Sequence, residues 1–119
     1  NADHEIVVYA IFIIPRSFSK RLQFHEDWSA RVHTQVMTFL IPLNNIDIHL
    51  MYKDVNGDNQ EYQYKFGKAI GFGGDFIHST GLGVGEEEDV LLCVYLGSDD
   101  PKIWEYAQYN IADELEHYT

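Results

Sequence analysis

The segment Ile6–Ile14 reads Ile-Val-Val-Tyr-Ala-Ile-Phe-Ile-Ile and is followed by Pro15. β-Branched and aromatic residues favour strands, and an apolar run without a polar break is typical of a strand buried on both faces. Proline cannot donate to a ladder of hydrogen bonds, so we expect the strand to end there. The run is also far shorter than the ~20 residues that a membrane-spanning helix needs. The segment therefore predicts a buried strand of a sheet.

Seven further segments have the composition of strands and are separated by turn signals. The clearest signal is Asn56-Gly57, because this dipeptide suits the tight turn of a β-hairpin. The seven segments are Arg21–Trp28, Thr34–Ile41, Asp47–Lys53, Gln60–Phe66, Lys68–Phe72, Asp75–Thr80 and Asp89–Leu96. Many short strands at this spacing favour an all-β sandwich or barrel, here a jelly-roll barrel.

The chain ends in a predicted helix rather than a strand. Asp100-Pro101 is a helix start, because Asp is a favoured N-cap residue and Pro is tolerated at the first helical position. Apolar residues then recur every four positions, which is typical of an amphipathic helix; they are Ile103, Ala107, Ile111 and Leu115. We expect one domain over residues 1–119, with a barrel over about 5–97 and the helix over about 100–117.

Charge and cysteine content exclude several classes of function. The 119 residues include 8 Lys and Arg against 19 Asp and Glu, a formal net charge of −11. Nucleic acids and anionic membranes both require a basic surface, so we expect neither as a partner. The single cysteine, Cys93, lies in an apolar run and is predicted to be buried. Without an intrachain disulfide or a visible signal peptide, we expect a cytoplasmic rather than a secreted protein.

Three residues have side chains that suit a metal site. On a strand, residues i and i+2 face the same way, so His25 and Asp27 are expected to point together. An imidazole and a carboxylate are two of the three ligands of a facial iron site. His78 follows 51 positions after Asp27, on a short predicted strand beside the turn Gly73-Gly74. In a barrel, a histidine this late can reach a pair on an early strand.

These features together resemble a known family. The order of a His-x-Asp pair, a strand ending in Leu43-Asn44, a Gly-Asp turn and a late histidine resembles the double-stranded β-helix core of Fe(II)/2-oxoglutarate-dependent oxygenases, within the cupin superfamily. The prolyl-hydroxylase-like branch is the nearest comparison, and the resemblance covers residues 21–97. It implies that His25, Asp27 and His78 are Fe(II) ligands and that the protein oxidises an organic substrate.

The sequence departs from this family where 2-oxoglutarate would be anchored. Members carry an Arg or Lys about ten residues after the late histidine, whereas this chain has Glu86–Asp89 there. Acidic groups would repel a dicarboxylate. Lys53, which shares one face of its strand with His49 and Met51, is the substitute that we expect if 2-oxoglutarate is the cosubstrate.

Two alternatives to the oxygenase hypothesis remain open at this stage. One is a cupin-like metal protein without 2-oxoglutarate, in which His33 joins His25 and His78. The other is a non-catalytic binding module that has kept the barrel and lost the metal site. As the partner of the protein we expect a small-molecule or peptide substrate. The sequence also leaves a homodimer open, because the edge strands of an open barrel can pair between copies.

Overall fold

The computed structural model describes residues 4–16, 22–46, 49–81 and 89–118, and the following elements lie within them. Seven strands, one 3₁₀ turn and one helix follow each other along the chain. Their bounds are β1 Ile6–Arg16, the 3₁₀ turn Ala30–Val32, β2 Val36–Pro42, β3 His49–Lys53, β4 Asn59–Gln63, β5 Ile70–Gly73, β6 His78–Thr80, β7 Asp89–Ser98 and α1 Pro101–Tyr118. The predicted strands are thus present with shifted ends, except for Arg21–Trp28.

The strands form two antiparallel sheets whose order interleaves early and late segments. One sheet has four strands in the order β1-β7-β2-β5, and the other has three in the order β4-β3-β6. The strands β3 and β4 form a hairpin, whereas each of the other paired strands in these sheets joins segments far apart in sequence, as in a jelly roll. The all-β prediction of a double-stranded β-helix with one C-terminal helix is confirmed. The assignment of the whole chain to one domain stays a prediction.

One buried cluster joins the inner faces of both sheets. Along β2, burial alternates, so every second residue from Val36 to Pro42 faces the core. Leu50 and Tyr64 contribute from the three-stranded sheet and its continuation. Cys93 pairs with Phe12 on one side and with Leu40 on the other, and its side chain is 2% exposed. The predicted burial of this cysteine is confirmed.

The prediction that β1 is buried on both faces is wrong. β1 lies at the edge of its sheet and pairs only with β7 among the described strands. Its inner face packs on the core through Ile14, but its outer face is exposed, with Ile6 75% and Ile13 69% accessible. β1 also continues beyond Pro15 to Arg16, which an edge strand permits because one side of it needs no hydrogen-bond partner.

The predicted strand Arg21–Trp28 is also wrong as a regular strand. Arg21 lies outside the described residues, and residues 22–28 contain a single bridge, between His25 and His78. The partner strand β6 has only three residues, so it offers little backbone to pair with. After Asp27 the chain bends into the 3₁₀ turn, where the Ser29 hydroxyl accepts a hydrogen bond from the Arg31 amide.

The helix α1 is confirmed close to its predicted bounds. The Asp100 carboxylate accepts from the Lys102 amide at 3.0 Å, as an N-cap does. Ala107 and Ile111 are buried against the core. The Asn110 side chain accepts from the Ser29 amide, so α1 supports the segment that follows Asp27. No helix among the described residues combines the length and apolar character needed to cross a bilayer.

Candidate metal centre

Two histidines from distant parts of the chain face each other across the bridge. The His25 amide donates to the His78 carbonyl at 2.9 Å, and the His78 amide donates to the His25 carbonyl at 3.0 Å. Directly paired residues project to the same side of a sheet. The two imidazole rings therefore lie side by side, with centroids 4.5 Å apart.

Asp27 completes the cluster two residues after His25. Its Oδ1 lies 3.4 Å from Nε2 of His25 and 3.3 Å from Nε2 of His78. The three candidate ligand atoms all lie within 4.8 Å of one another. The structure thus brings together the three residues that the sequence singled out. His25 and Asp27 point the same way, as residues i and i+2 of a strand do, although of these two only His25 is paired with another strand.

Backbone carbonyls orient both imidazole rings. Nδ1 of His25 donates to the carbonyl of Gln23 at 3.0 Å, and Nδ1 of His78 donates to the carbonyl of Phe76 at 3.0 Å. A carbonyl oxygen can only accept, so the proton of each neutral ring lies on Nδ1. The lone pair of each neutral ring then lies on Nε2, the atom that faces Asp27, whereas a protonated ring donates a hydrogen bond from Nε2 to that carboxylate. Metal-ligating histidines are typically oriented by such a contact of the other ring nitrogen.

The carboxylate of Asp27 is buried and ionised. Burial by itself would raise the pKa of this carboxyl, but hydrogen bonds from His25 and His78, and then their charge, outweigh it and hold the pKa well below its ordinary value. The second oxygen, Oδ2, accepts from the Thr38 hydroxyl at 3.1 Å. Asp27 is therefore ready to hold positive charge without first losing a proton.

Thr38 and Trp28 also belong to the site, although neither was predicted from the sequence. The Trp28 indole donates to the Thr38 hydroxyl at 3.1 Å, behind the carboxylate. A signal was available for Thr38, because it is the one polar residue at the inward-facing positions of an otherwise apolar β2. Trp28 directly follows Asp27 in sequence. Its contact with Thr38 depends on how residues 25–28 pack against β2, and sequence spacing does not predict that packing.

Aromatic rings enclose the cluster on the His78 side. Phe72 lies 4.8 Å from the His78 ring, and Phe76 stacks on it at 5.6 Å between centroids. The side chains of His78 and Asp27 are each 8% exposed, whereas that of His25 is 51% exposed. The centre is therefore closed on the His78 side and accessible from the His25 side.

The donor set fits a divalent transition metal. Two imidazole nitrogens and one carboxylate oxygen form the two-histidine, one-carboxylate triad that suits Fe(II) and leaves positions open for other ligands. The separations of 3.3 and 3.4 Å between Oδ1 and the two nitrogens are close to those of donors bound at about 2 Å to one ion. Without a cation, two lone pairs and a carboxylate would face one another unless the rings took up protons.

His33 does not join this cluster. Its Nε2 donates to the carbonyl of Trp28 at 2.9 Å and lies 3.5 Å from a carboxylate oxygen of Glu26. Within the described ranges, the group of possible metal ligands consists of His25, Asp27 and His78. The three-histidine alternative therefore has no geometric support.

Lys53 lies on the opposite face of its sheet from His78. Tyr52 pairs with His78 and shares its face, so the next residue along β3 projects to the other side. The Lys53 ammonium donates to the side chain of Asn59 at 2.7 Å and lies 4.3 Å from the Phe24 ring centroid. This register argues against Lys53 as the anchor of a dicarboxylate beside His78.

The acidic segment at the usual position of the cosubstrate anchor is only partly described. Residues 86–88 lie outside the described residues, and of Asp89 only the backbone is described, as the first residue of β7. Arg31, the basic residue closest in sequence to Asp27, donates to the Tyr106 hydroxyl at 3.0 Å and stacks on that ring. It is therefore engaged with α1 rather than with the cluster.

Comparison with known proteins finds likeness in structure and none in sequence. No family model matches the chain, and no curated protein matches it. The crystal structure of an oxidoreductase of the 2OG-Fe(II) oxygenase family from Burkholderia pseudomallei aligns with a TM-score of 0.63 at 11% identity, over 79% of this chain and 46% of that one. A nickel complex of the non-heme monooxygenase ThoJ aligns with a TM-score of 0.58 at 12% identity, over 77% of this chain and 44% of that one.

The likeness concerns the fold, and this chain spans less than half the length of either of these structures. The chain thus has the double-stranded β-helix fold found in non-haem iron oxygenases.

Proposed function

We propose that this chain is the metal-binding core of a non-haem Fe(II)-dependent oxygenase, with His25, Asp27 and His78 as the iron ligands. The observation that carries the proposal is the convergence of Oδ1 of Asp27 with the Nε2 atoms of both histidines, at 3.4 and 3.3 Å. The fold shared with a 2OG-Fe(II) oxygenase and a non-heme monooxygenase supports it.

The protein side chains would hold the ion and leave part of its surroundings open. Bound Fe(II) supplies redox chemistry with dioxygen, which protein side chains cannot perform by themselves. His78 and Asp27 are buried, and the rings of Phe72 and Phe76 keep water from the inner side of His78. An organic substrate, either a small molecule or a peptide, would approach from the His25 side, where the cluster is exposed.

Whether 2-oxoglutarate is the cosubstrate is decided by the Fe(II) titration described below. The Arg31 side chain is bound to Tyr106 and that of Lys53 to Asn59, so neither is available to anchor 2-oxoglutarate at the centre. An oxygenase of this kind can obtain electrons from a cosubstrate or from its own substrate. We therefore propose Fe(II)-dependent oxidation and treat 2-oxoglutarate as one arm of the test.

Anaerobic titration with Fe(II) tests the ligand set. We expect about one ion per chain for the wild type and at least a 100-fold weaker affinity for His78→Ala, because the ion loses one of three protein ligands. His33→Ala is the matched control, since it removes a histidine from the same region without touching the cluster, and it should bind as the wild type does. Addition of 2-oxoglutarate should produce a charge-transfer absorption band only if it binds the iron.

Two outcomes would contradict the proposal. If the wild type does not bind iron stoichiometrically, the hypothesis of a metal centre is wrong and the non-catalytic binding module is the hypothesis that remains. An equal loss of affinity in His33→Ala and His78→Ala would show that the measured binding does not take place at this cluster.

A further inference from the structure

A chain of hydrogen bonds runs from the protein core to the Asp27 carboxylate. The indole nitrogen of Trp28 donates to the Thr38 hydroxyl at 3.1 Å, and that hydroxyl donates to Oδ2 of Asp27 at 3.1 Å. Thr38 is fully buried and Trp28 is 3% exposed. Because both lie in the core, water is not available to replace either bond.

The chemistry of the groups fixes the direction of this chain. An indole N–H can only donate, and a carboxylate can only accept. The hydroxyl of Thr38 has one proton, so accepting from Trp28 leaves that proton for Asp27. Each of the two bonds therefore reinforces the other, and no rotation of the hydroxyl satisfies Trp28 and Asp27 better.

The packing around Trp28 holds the chain of hydrogen bonds in place. Its ring lies 4.9 Å from the ring of Tyr95 and 6.2 Å from that of Tyr9, both in edge-to-face contacts. Thr38 sits in the middle of β2, which is paired with β7 on one side and β5 on the other. Neither Thr38 nor Trp28 can move without disturbing the core.

The two oxygens of Asp27 consequently have different environments. Oδ2 is held by Thr38, while Oδ1 faces the Nε2 atoms of His25 and His78. We infer that Thr38, itself oriented by Trp28, is a positioning residue that restricts Asp27 to one ligand oxygen. The inference rests on the proposed function and extends it to a feature that its ligand set does not specify.

This restriction matters for the number of positions left to other ligands. A carboxylate that binds through one oxygen gives the protein three donor atoms, whereas one that binds through both oxygens gives it four. An ion with six ligands then keeps three positions rather than two for substrate, cosubstrate and dioxygen. Loss of the Thr38 hydroxyl would free Oδ2 to turn toward the ion.

The test compares variants of the chain by Co(II) and Mn(II) binding, with no need for activity. Thr38→Val removes the hydroxyl and keeps the branched shape. Because the carboxylate of Asp27 is then no longer oriented before the ion binds, we expect Mn(II) affinity to fall about 10- to 100-fold even if Oδ2 turns toward the ion. The visible absorption of bound Co(II) should change as well, because it reports the number and arrangement of ligands. Thr38→Ser keeps a hydroxyl and should restore both the affinity and the spectrum.

Further variants separate positioning from stability. Val36→Ala lies on the same strand and face as Thr38 and removes core volume without touching the chain of hydrogen bonds, so it should be less stable yet bind with the wild-type spectrum. Trp28→Phe keeps an aromatic ring and removes the indole donor, and it should change the Co(II) spectrum in the direction of Thr38→Val. These two variants and Thr38→Ser keep the test decisive if Thr38→Val does not fold.

The failure of this inference differs from the failure of the proposed function. If the wild type binds metal and His78→Ala does not, but Thr38→Val or Trp28→Phe matches the wild type in affinity and spectrum, the inference is wrong and the metal centre stands. Thr38→Ser behaving as Thr38→Val also overturns it. If the wild type binds neither Co(II) nor Mn(II), the proposed metal centre itself is wrong, and the inference about Thr38 is wrong with it.

Discussion

His25 and His78 share a local arrangement that prepares each ring before any ligand arrives. In both, Nδ1 donates to the carbonyl of the residue two positions earlier, Gln23 and Phe76 respectively. Each imidazole is thus oriented by its own segment of backbone, and the reciprocal amide bonds between the two residues bring the rings together. Little conformational entropy remains to be lost when the rings bind an ion, which favours affinity.

The ligand cluster could be predicted from sequence because it depends on local alternation and on the order of strands. To predict that His25 and Asp27 lie together, only the two-residue period of a strand was required. To add His78, only the packing of a late strand beside an early one was required. The face of Lys53 could not be predicted in the same way, since it depends on which residue of β3 pairs with His78. A register shift of one residue reverses every face of a strand.

Asp54 provides a prediction about pH at the residue scale. Its carboxylate accepts from the Gln60 side chain and from the amides of Asp58 and Asn56, in the turn between β3 and β4. The Gln60 contact first, and then the backbone amides, lower the pKa of the Asp54 carboxyl. A lowered folded-state pKa contributes stability above the unfolded value of about 3.9, and this contribution is lost as the pH falls through the folded value.

We therefore expect Asp54→Asn to be less stable than the wild type at neutral pH and to approach it as the pH is lowered below 4. Urea unfolding at a series of pH values measures the difference. Asp113→Asn, on an exposed face of α1, is the control for removal of one negative charge. A difference between wild type and Asp54→Asn that is constant across the whole pH range would contradict the role of the ionised carboxylate.

At the scale of elements, the connection between β5 and β6 is what carries His78 to its place. Gly74 in this connection is buried, and its amide donates to the carbonyl of His33. A Cβ atom at Gly74 would lie 2.8 Å from the Cα of His33 and 2.9 Å from a methyl carbon of Val36. The first of these neighbours is backbone, which cannot move aside as a flexible side chain can.

Gly74→Ala should therefore destabilise the fold by about 1 to 3 kcal/mol, the usual cost of inserting a methyl group into a packed site. The neighbouring Gly73→Ala is the matched control, because its added carbon meets only a carboxylate oxygen of Asp75, at 3.5 Å. Equilibrium unfolding in urea compares the two. Equal stabilities for Gly74→Ala and Gly73→Ala would show that the close approach to His33 is not a constraint.

Element boundaries show where the sequence was informative and where it was not. The helix α1 was predictable, because Asp100 and the spacing of Ala107 and Ile111 are local signals. The irregular path of residues 22–28 was not predictable. These residues have the composition of a strand, but Trp28 packs in the core and only His25 forms a bridge to another strand. The exposed face of β1 was also missed, since the apolar composition of a segment does not tell what covers it.

On the scale of the whole molecule, the position of the cluster couples metal binding to folding. His25, Asp27 and His78 come from two segments that meet only in the folded chain, so an ion that binds all three stabilises the native state. At 100 times the dissociation constant, this stabilisation is about 2.7 kcal/mol. For a domain of this size it corresponds to a rise in Tm of roughly 10 °C.

Thermal unfolding with and without Mn(II) should show this rise in the wild type and none in His78→Ala. The formal net charge of −11 could attract any dication to the surface. Ca²⁺ at the same concentration is therefore the control, because it prefers sites made of oxygen ligands alone. A rise with Ca²⁺ equal to that with Mn(II), or an equal rise in His78→Ala, would attribute the effect to surface charge.

The edge position of β1 concerns the whole molecule as well. An edge strand presents backbone groups that can pair with another chain, and the outer side chains of β1 are apolar and exposed. The homodimer that the sequence left open stays a prediction, and sedimentation at increasing protein concentration measures it.

Because Cys93 is buried and is the only thiol of this sequence, its rate of chemical labelling reports how often the sheet opens. β7 is flanked by β1 and β2, so a thiol reagent reaches Cys93 only after the sheet has opened at its centre. When closing is faster than labelling, the labelling rate follows the population of the open state. Labelling of Cys93 therefore measures how often the sheet opens, with no need to introduce a further cysteine, and a ligand that slows the labelling is one that binds the closed form.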